Sequence, residues 1–267
     1  MTQSPEFDAV GVAQAMADAA RLAILPHYRA LTRVDNKEDG AAFDPVTEAD
    51  KAGERAMRAV LEERRPDDAI FGEEYGRTAG TTGWTWVLDP IDGTRAFVAG
   101  LPVWTTLIGL VDADGDAIVG VIDQPNLDER YLGAPEGSRL IAGGQETELS
   151  VSDCDDLRTA VISTTDPFIM TPAEQGAWTH LRHTARIIRY GLDAYAYARV
   201  AAGSIDLVAE TGLAPYDAAA LIPVVRGAGG LACDWRGKPA KPGGQLVCAA
   251  SQGILDQALI SLRRSAS

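Results

Sequence analysis

Trp84-Thr85-Trp86-Val87-Leu88-Asp89-Pro90-Ile91-Asp92-Gly93-Thr94 reads as a buried strand running into a turn. The apolar and β-branched residues up to Leu88 have the character of a core strand, and Asp89 ends it. Pro90 presets a turn, and Gly93 permits a left-handed backbone. A turn brings residues three apart within about 7 Å, so Asp89 and Asp92 can face one space. Two carboxylates that close repel each other unless a proton or a metal sits between them. With oxygen ligands and no His or Cys nearby, Mg²⁺ is the natural occupant. The backbone N–H groups of Gly93 and Thr94 can bind phosphate oxygens, and the Thr94 hydroxyl can orient a metal-bound water.

Other acids share this placement. Glu73 and Glu74 follow the strand-like Ala69-Ile70-Phe71-Gly72, and Asp217 opens a helix after the loop 212–216. Taken singly, Asp217 reads as an N-cap, Asp92 as a turn residue and Glu73 and Glu74 as a solvated loop. Taken together, they sit where chain enters or leaves core elements, and can converge at one sheet edge.

Around this stretch the pattern divides in two. Helices are expected at 9–25 and from Glu48 until Pro66 stops the second, with strands at 69–72, 84–88, 104–111, 117–123 and 130–133. The polar stretch 143–156 marks a boundary. Beyond it strands at 159–163, 186–189, 205–210, 231–235 and 246–249 alternate with helices at 172–181, 193–202, 217–228 and 252–264. The expectation is an α+β first unit, 1–145, carrying the metal and phosphate site. An α/β second unit, 146–267, carries Asp217 and the substrate-binding residues, and the two form one compact body.

Charge narrows the function. The 267 residues carry 24 Lys+Arg against 38 Asp+Glu, a net −14. Unassisted binding to nucleic acid or anionic lipid is disfavoured, and an anionic substrate needs a cation between itself and the carboxylates. Three widely spaced cysteines read as free thiols, and residues 1–8 lack the features of a signal peptide, so a cytoplasmic protein is expected. No apolar run approaches the roughly 18 residues of a membrane span.

Several lookalikes fall away. Asp112-Ala113-Asp114-Gly115-Asp116 has its Gly fourth and strands on both sides, unlike an EF-hand loop. His180 and His183 lie three apart on a helix with no third ligand in view, which suits a solvated pair. Gly227-Ala228-Gly229-Gly230 follows a helix, so the dinucleotide-binding geometry is absent. No G-x-S-x-G supports a serine hydrolase. An acidic interaction protein is the alternative from a different class, but it has no need of four acids at element ends around a Gly-Thr turn.

The motifs resemble those of the inositol monophosphatase family of Mg²⁺-dependent, lithium-sensitive phosphomonoesterases. Gly72-Glu73-Glu74, the stretch 86–94, and Pro215-Tyr216-Asp217-Ala218-Ala219-Ala220 running on to Gly227-Ala228-Gly229-Gly230 occur in the family's order. Asp44-Pro45-Val46-Thr47-Glu48-Ala49-Asp50 matches too, with Lys37 ahead of it on the family's mobile loop. The resemblance covers about residues 10 to 262. It implies a layered αβαβα sandwich, usually homodimeric, with two or three Mg²⁺ per site. Glu73, Asp89 and the Ile91 carbonyl would hold the first ion, and Asp89, Asp92 and Asp217 the second. Gly93 and Thr94 would bind phosphate, and Glu73 and Thr94 would position the water.

Within the family the best match is to the histidinol-phosphatase branch. It is carried by Asp92-Gly93-Thr94-Arg95-Ala96-Phe97, Gly100-Leu101-Pro102-Val103-Trp104, Arg189-Tyr190-Gly191-Leu192-Asp193-Ala194-Tyr195-Ala196-Tyr197 and 212–217 followed by Leu221-Ile222-Pro223. The branch implies hydrolysis of L-histidinol phosphate in histidine biosynthesis, with Arg95 and Gly191 at the substrate. That substrate carries an ammonium and an imidazole. Asp193 and Glu210 can meet them with charge-assisted hydrogen bonds, and Asp193 also reads as an N-cap. Leu192 and Ala214 depart from the branch, which more often has Gly and a basic residue there. Inositol 1-phosphate or another small phosphomonoester is the alternative substrate.

Overall fold

The computed structural model describes residues 7–30, 34–36 and 45–266, with only the backbone at 34–36 and 45–47. Lys37, Asp44 and the Thr47 side chain lie outside the described residues. Helix α1 (Ala9–Ile24) starts where the Asp8 carboxylate accepts the Gly11 N–H at 2.8 Å. The short strands β1 (Val34–Asn36) and β2 (Pro45–Thr47) pair antiparallel, and α2 (Glu48–Arg64) packs on α1. There follow β3 (Ala69–Gly72), β4 (Gly76–Thr78), β5 (Thr85–Asp92), the short helix α3 (Thr94–Val98), β6 (Thr105–Val111), β7 (Ala117–Gln124), β8 (Glu129–Ala134), β9 (Gly137–Ala142) and β10 (Gln145–Glu148). These strands form one eight-stranded sheet in the order β10-β9-β8-β7-β6-β5-β3-β4, with only β3 and β5 parallel.

The second half comprises β11 (Val161–Ser163), α4 (Pro172–Thr184), β12 (Ile187–Arg189), α5 (Ala194–Ala201), β13 (Leu207–Leu213), α6 (Pro215–Ala218), α7 (Leu221–Gly227), β14 (Leu231–Cys233), β15 (Gly244–Ala249) and α8 (Gln252–Leu262). Its sheet has the order β12-β11-β13-β15-β14.

Three buried clusters stack the layers. Met16, Ile24 and Met57 of α1 and α2 pack on Trp86, Leu88, Ile108 and Leu110 from one face of the large sheet. Val87, Leu107 and Ile122 from its other face meet Tyr197, Leu221 and Val224 of α5 and α7, which in turn cover Val208, Leu246 and Cys248 of the small sheet. Trp178 and Leu181 of α4 and Leu259 of α8 close the outer face with Leu207 and Val247. The result is the expected αβαβα sandwich. Alternation sends successive side chains into different clusters, as at Trp86, Val87 and Leu88 of β5 or Leu207, Val208 and Ala209 of β13.

The helix expected at 217–228 is two pieces, α6 and α7, because Pro223 has no N–H for the Ala219 carbonyl, and Ala219 and Ala220 lie against the sheet. Gly109, Gly120 and Gly133 are cross-strand neighbours on β6, β7 and β8. A Cβ on Gly120 would stand 2.1 Å from the Ala220 carbonyl oxygen, and one on Gly133 2.4 Å from the Pro223 backbone. The bare row lets the α6–α7 backbone touch the strands. Strands β4, β9 and β10 were not expected: they are short and half-exposed or exposed, so they lack the apolar signal of the core strands. Gly143-Gly144, both at positive φ, is a hairpin turn and not a linker. The large sheet therefore closes at Glu148, just past the boundary drawn at 145. No helix among the described residues is long and apolar enough to cross a membrane.

Candidate active site

Strand β5 carries the first two acids. Its pairing with β6 is regular from Thr85 to Asp89 and slips between Asp89 and Asp92. Pro90 cannot donate to the ladder, and a bulge there is the physical outcome. The freed Pro90 carbonyl accepts the Thr106 hydroxyl at 2.7 Å. Beyond the bulge, Gly93 adopts φ 80°, ψ 40°, the left-handed conformation that turns the chain into α3. The Thr94 hydroxyl donates to the Ile91 carbonyl at 3.0 Å.

Asp217 comes from the other half of the chain. It is the third residue of α6 and not its N-cap. Its Oδ2 accepts the Ala214 N–H at 2.7 Å, as a capping-box acid does. Carboxylate oxygens of Asp89, Asp92 and Asp217 all lie within 4.8 Å of one another. Asp89 is 2% exposed, and its Oδ1 is buried without a hydrogen-bond partner among the described residues. Burial, then the charges of Glu73, Asp92, Asp217 and Asp50, push its carboxyl well above the usual range. Burial and Asp193 do the same to Asp92, opposed by the Ala194 N–H that Asp92 Oδ2 accepts at 2.7 Å. Burial lifts Asp217 to about 6 against its bond from Ala214. A buried anionic oxygen with no donor, among acids that raise one another, suits a hard divalent cation.

Glu73 follows β3, with its N–H on the Leu88 carbonyl at 3.1 Å. Its loop is fixed by a residue that sequence reasoning missed. Glu54 of α2 is fully buried and accepts the N–H groups of Glu74 at 2.6 Å and Tyr75 at 3.2 Å. Arg58, one turn on, neutralises it at 2.7 Å. A Cβ at position 72 would stand 1.9 Å from the Glu54 carboxylate, so the motif Gly is there to admit that anchor. The i, i+4 pair Glu54–Arg58 was the available signal, though such pairs are common on solvated faces. Asp50, 2% exposed, was likewise missed as an influence on Asp89.

A cavity of about 210 Å³ opens from Asp92 and Asp217 toward the second sheet. Asp193 and Glu210 both line it. Asp193 holds the N-cap position of α5 but makes no capping bond: the Tyr195 and Ala196 N–H groups that such a bond would use go to the Leu192 and Asp193 carbonyls. Its carboxylate approaches the Gly93 turn instead: a Cβ on Gly93 would lie 3.2 Å from Asp193 Oδ2. Burial raises Asp193 to about 6, with Arg95 pulling the opposite way. Glu210 has both oxygens engaged. One accepts the Thr165 N–H at 2.8 Å and the Thr165 hydroxyl, the other the Tyr197 hydroxyl at 3.2 Å. Burial lifts it to about 7.

Two expected substrate residues stand at the edge. Arg95 is exposed, its Nη1 3.9 Å from Asp166 Oδ2. Gly191 is exposed, donates to the Thr165 carbonyl at 2.9 Å and does not line the cavity. Thr165, Asp166 and Tyr197 line it and were missed, since nothing in their local sequence separates them from ordinary loop and core residues. The lookalikes resolve as expected. Asp112 Oδ1 accepts the N–H groups of Asp114 and Asp116 within a hairpin turn. His180 and His183 are exposed.

The family model for the inositol monophosphatase family matches residues 8–267. The chain belongs to that family. Members of the inositol monophosphatase family are metal-dependent phosphatases, and this chain is a phosphoric monoester hydrolase. It is 36% identical over 95% of its length to a histidinol-phosphatase from Mycobacterium tuberculosis, covering 97% of that protein. It is 41% identical over 89% of its length to a chloroplastic bifunctional phosphatase from Arabidopsis thaliana, and spans 66% of that longer protein. The structure of an inositol monophosphatase from Zymomonas mobilis superposes with a TM-score of 0.85 at 36% identity, covering 98% of this chain and all of that one.

Proposed function

We propose that the protein hydrolyses L-histidinol phosphate to L-histidinol and phosphate with Mg²⁺, two or three ions per site, in histidine biosynthesis. Glu73, Asp89, the Ile91 carbonyl, Asp92 and Asp217 are the ligands in this reading. The observation that carries it is the partnerless, buried Asp89 Oδ1 amid converging acids. Bound there, Mg²⁺ would neutralise the acids, draw in the phosphate and lower the pKa of water.

Phosphoryl transfer asks chiefly for positioning and neutralised charge, and the chain supplies the positioning. The Gly93 and Thr94 N–H groups donate to phosphate oxygens. The Thr94 hydroxyl donates its one hydrogen bond to the Ile91 carbonyl, so only its lone pairs remain for a water. It accepts from one O–H of that water, Glu73 takes the other, and the water's own lone pair is left to face phosphorus. The Ile91 carbonyl keeps a second lone pair for the metal. Asp193, without a capping bond, faces the ammonium-bearing tail. Glu210 forms the polar wall behind it, with Arg95 and Gly191 at the rim. The protein acts in the cytoplasm as a homodimer in this reading.

Inositol 1-phosphate is the second reading, favoured by Leu192 and Ala214 and by the likeness to the Zymomonas enzyme. Steady-state kcat/KM for both esters with Mg²⁺ decides between them. A preference for inositol 1-phosphate overturns the first reading.

A further inference from the structure

Among the described residues the cavity wall holds five acids, Asp92, Asp166, Asp193, Glu210 and Asp217, and no Lys, Arg or His. Asp92 and Asp217 belong to the metal cluster, which leaves three acids for the leaving group. They are not equivalent. Asp193 sits against the phosphate turn at Gly93. Glu210 is deep, with both oxygens bonded to Thr165 and Tyr197. Asp166 stands at the mouth, its side chain 32% exposed. Its Oδ1 caps the turn at Pro167–Ile169 by accepting the Phe168 N–H at 2.9 Å. Among the described residues its Oδ2 has only Arg95, at 3.9 Å, beyond hydrogen-bond length. Arg95 is 72% exposed, and an ion pair this long and solvated holds its partner loosely. Apolar walls from Ile169, Met170 and Leu213 flank Asp166.

We infer that Asp166 selects phosphate esters whose leaving group carries a cationic amine, and that Arg95 is its exchangeable counter-ion until such an ester arrives. This rests on the phosphomonoesterase reading of the site and adds a determinant to it. The amine of the substrate replaces the Arg95 guanidinium at Asp166 Oδ2 and gains a bond the arginine does not make. Arg95 directly follows Thr94, so the displaced side chain remains beside the phosphate end. A flat apolar group on the same tail lies along Ile169 and Met170.

The test is steady-state kinetics with Mg²⁺ on L-histidinol phosphate and on glycerol 2-phosphate, whose leaving group is neutral. Asp166→Asn keeps a side-chain oxygen for the Phe168 N–H, so the turn survives. Its ratio of kcat/KM, amine ester over neutral ester, is expected to fall about tenfold or more, through KM and not kcat. Arg95→Gln removes the competitor, and the ratio rises. An Asp166→Asn ratio equal to wild type overturns the inference. So does an equal loss of kcat on both esters, which would make Asp166 structural. A wild type that hydrolyses glycerol 2-phosphate without preferring the amine ester overturns the substrate reading and this inference together. A wild-type preference that survives in Asp166→Asn overturns this inference alone.

Discussion

Replacing Asp217 by Asn should make the metal-free protein more stable while destroying its metal site. Burial raises the Asp217 carboxyl from 3.8 to about 6. The folded protein therefore holds that proton more tightly than the unfolded chain does. Between about pH 4 and pH 6 it binds the extra proton, so stability falls as pH rises through that window and stays low above it. A shift of this size corresponds to about 3 kcal/mol of unfavourable buried charge at pH 8. Asn keeps an oxygen for the Ala214 N–H and carries no charge. With an unfolding entropy of roughly 2 cal/mol/K per residue, 267 residues convert that gain into a melting temperature higher by about 5 °C. The assay is thermal unfolding in EDTA from pH 4 to pH 8, repeated with excess MgCl₂. The variant's advantage should be absent near pH 4 and complete above pH 7. With Mg²⁺ the wild type should recover by ligand binding and the variant should not. A variant that melts at or below the wild type in EDTA at pH 8, or an advantage independent of pH, would refute the account of the site as mutually repelling buried acids.

Asp92→Asn should lower kcat by about 10³, with circular dichroism unchanged because an amide oxygen can still accept the Ala194 N–H; near-normal turnover would remove Asp92 from the site. Gly93→Ala should cost about 1–2 kcal/mol through the left-handed backbone, and its methyl, 3.2 Å from Asp193 Oδ2, should raise KM for phosphate esters; unchanged melting and KM would contradict the turn's assigned strain. Asp123 is fully buried and pairs with Arg21 at 2.6 Å and Arg130 at 2.7 Å, joining α1 to β7 and β8. Asp123→Ala should cost about 2–3 kcal/mol by removing the charge-assisted bonds to both guanidiniums, which keep Asp128 and Asp18, read as an earlier midpoint in urea, and a shift below 1 kcal/mol would show that the pair is solvated.

The core strands and long helices were legible because period and burial coincide. The stretch 84–88 is apolar because both sheet faces are covered, and α1 shows its buried stripe from Ala9 to Ile24. The acids of the site were legible as a set, since each ends or opens such an element. What was not legible depends on contacts far apart in sequence. Asp193 looks like an N-cap, yet its side chain makes no capping bond, and the first N–H of that helix, Ala194, is held by Asp92 from 102 residues away. Glu54 looks like half of a surface ion pair, yet it anchors the Glu73–Glu74 loop. The close seat of α6 and α7 on the large sheet is set by Gly109, Gly120 and Gly133, far earlier in the chain. The break between the two helices does have a local signal, Pro223, which gives the Ala219 carbonyl no N–H.

Gly109, Gly120 and Gly133 have a bearing on how such a chain can be altered over generations or on the bench. With no side chain on these three positions, the α6–α7 backbone seats directly on the strands there, and that contact helps set the height of Asp217 above Asp89 and Asp92. The two halves thus share a gauge that neither can change singly. A chimera that joins the first half of one relative to the second half of another keeps its ion-binding geometry only if both parents left that track empty. One methyl at position 120 would lift the later half away from the earlier one. The expected sign is weakened ion affinity in a chain that still folds.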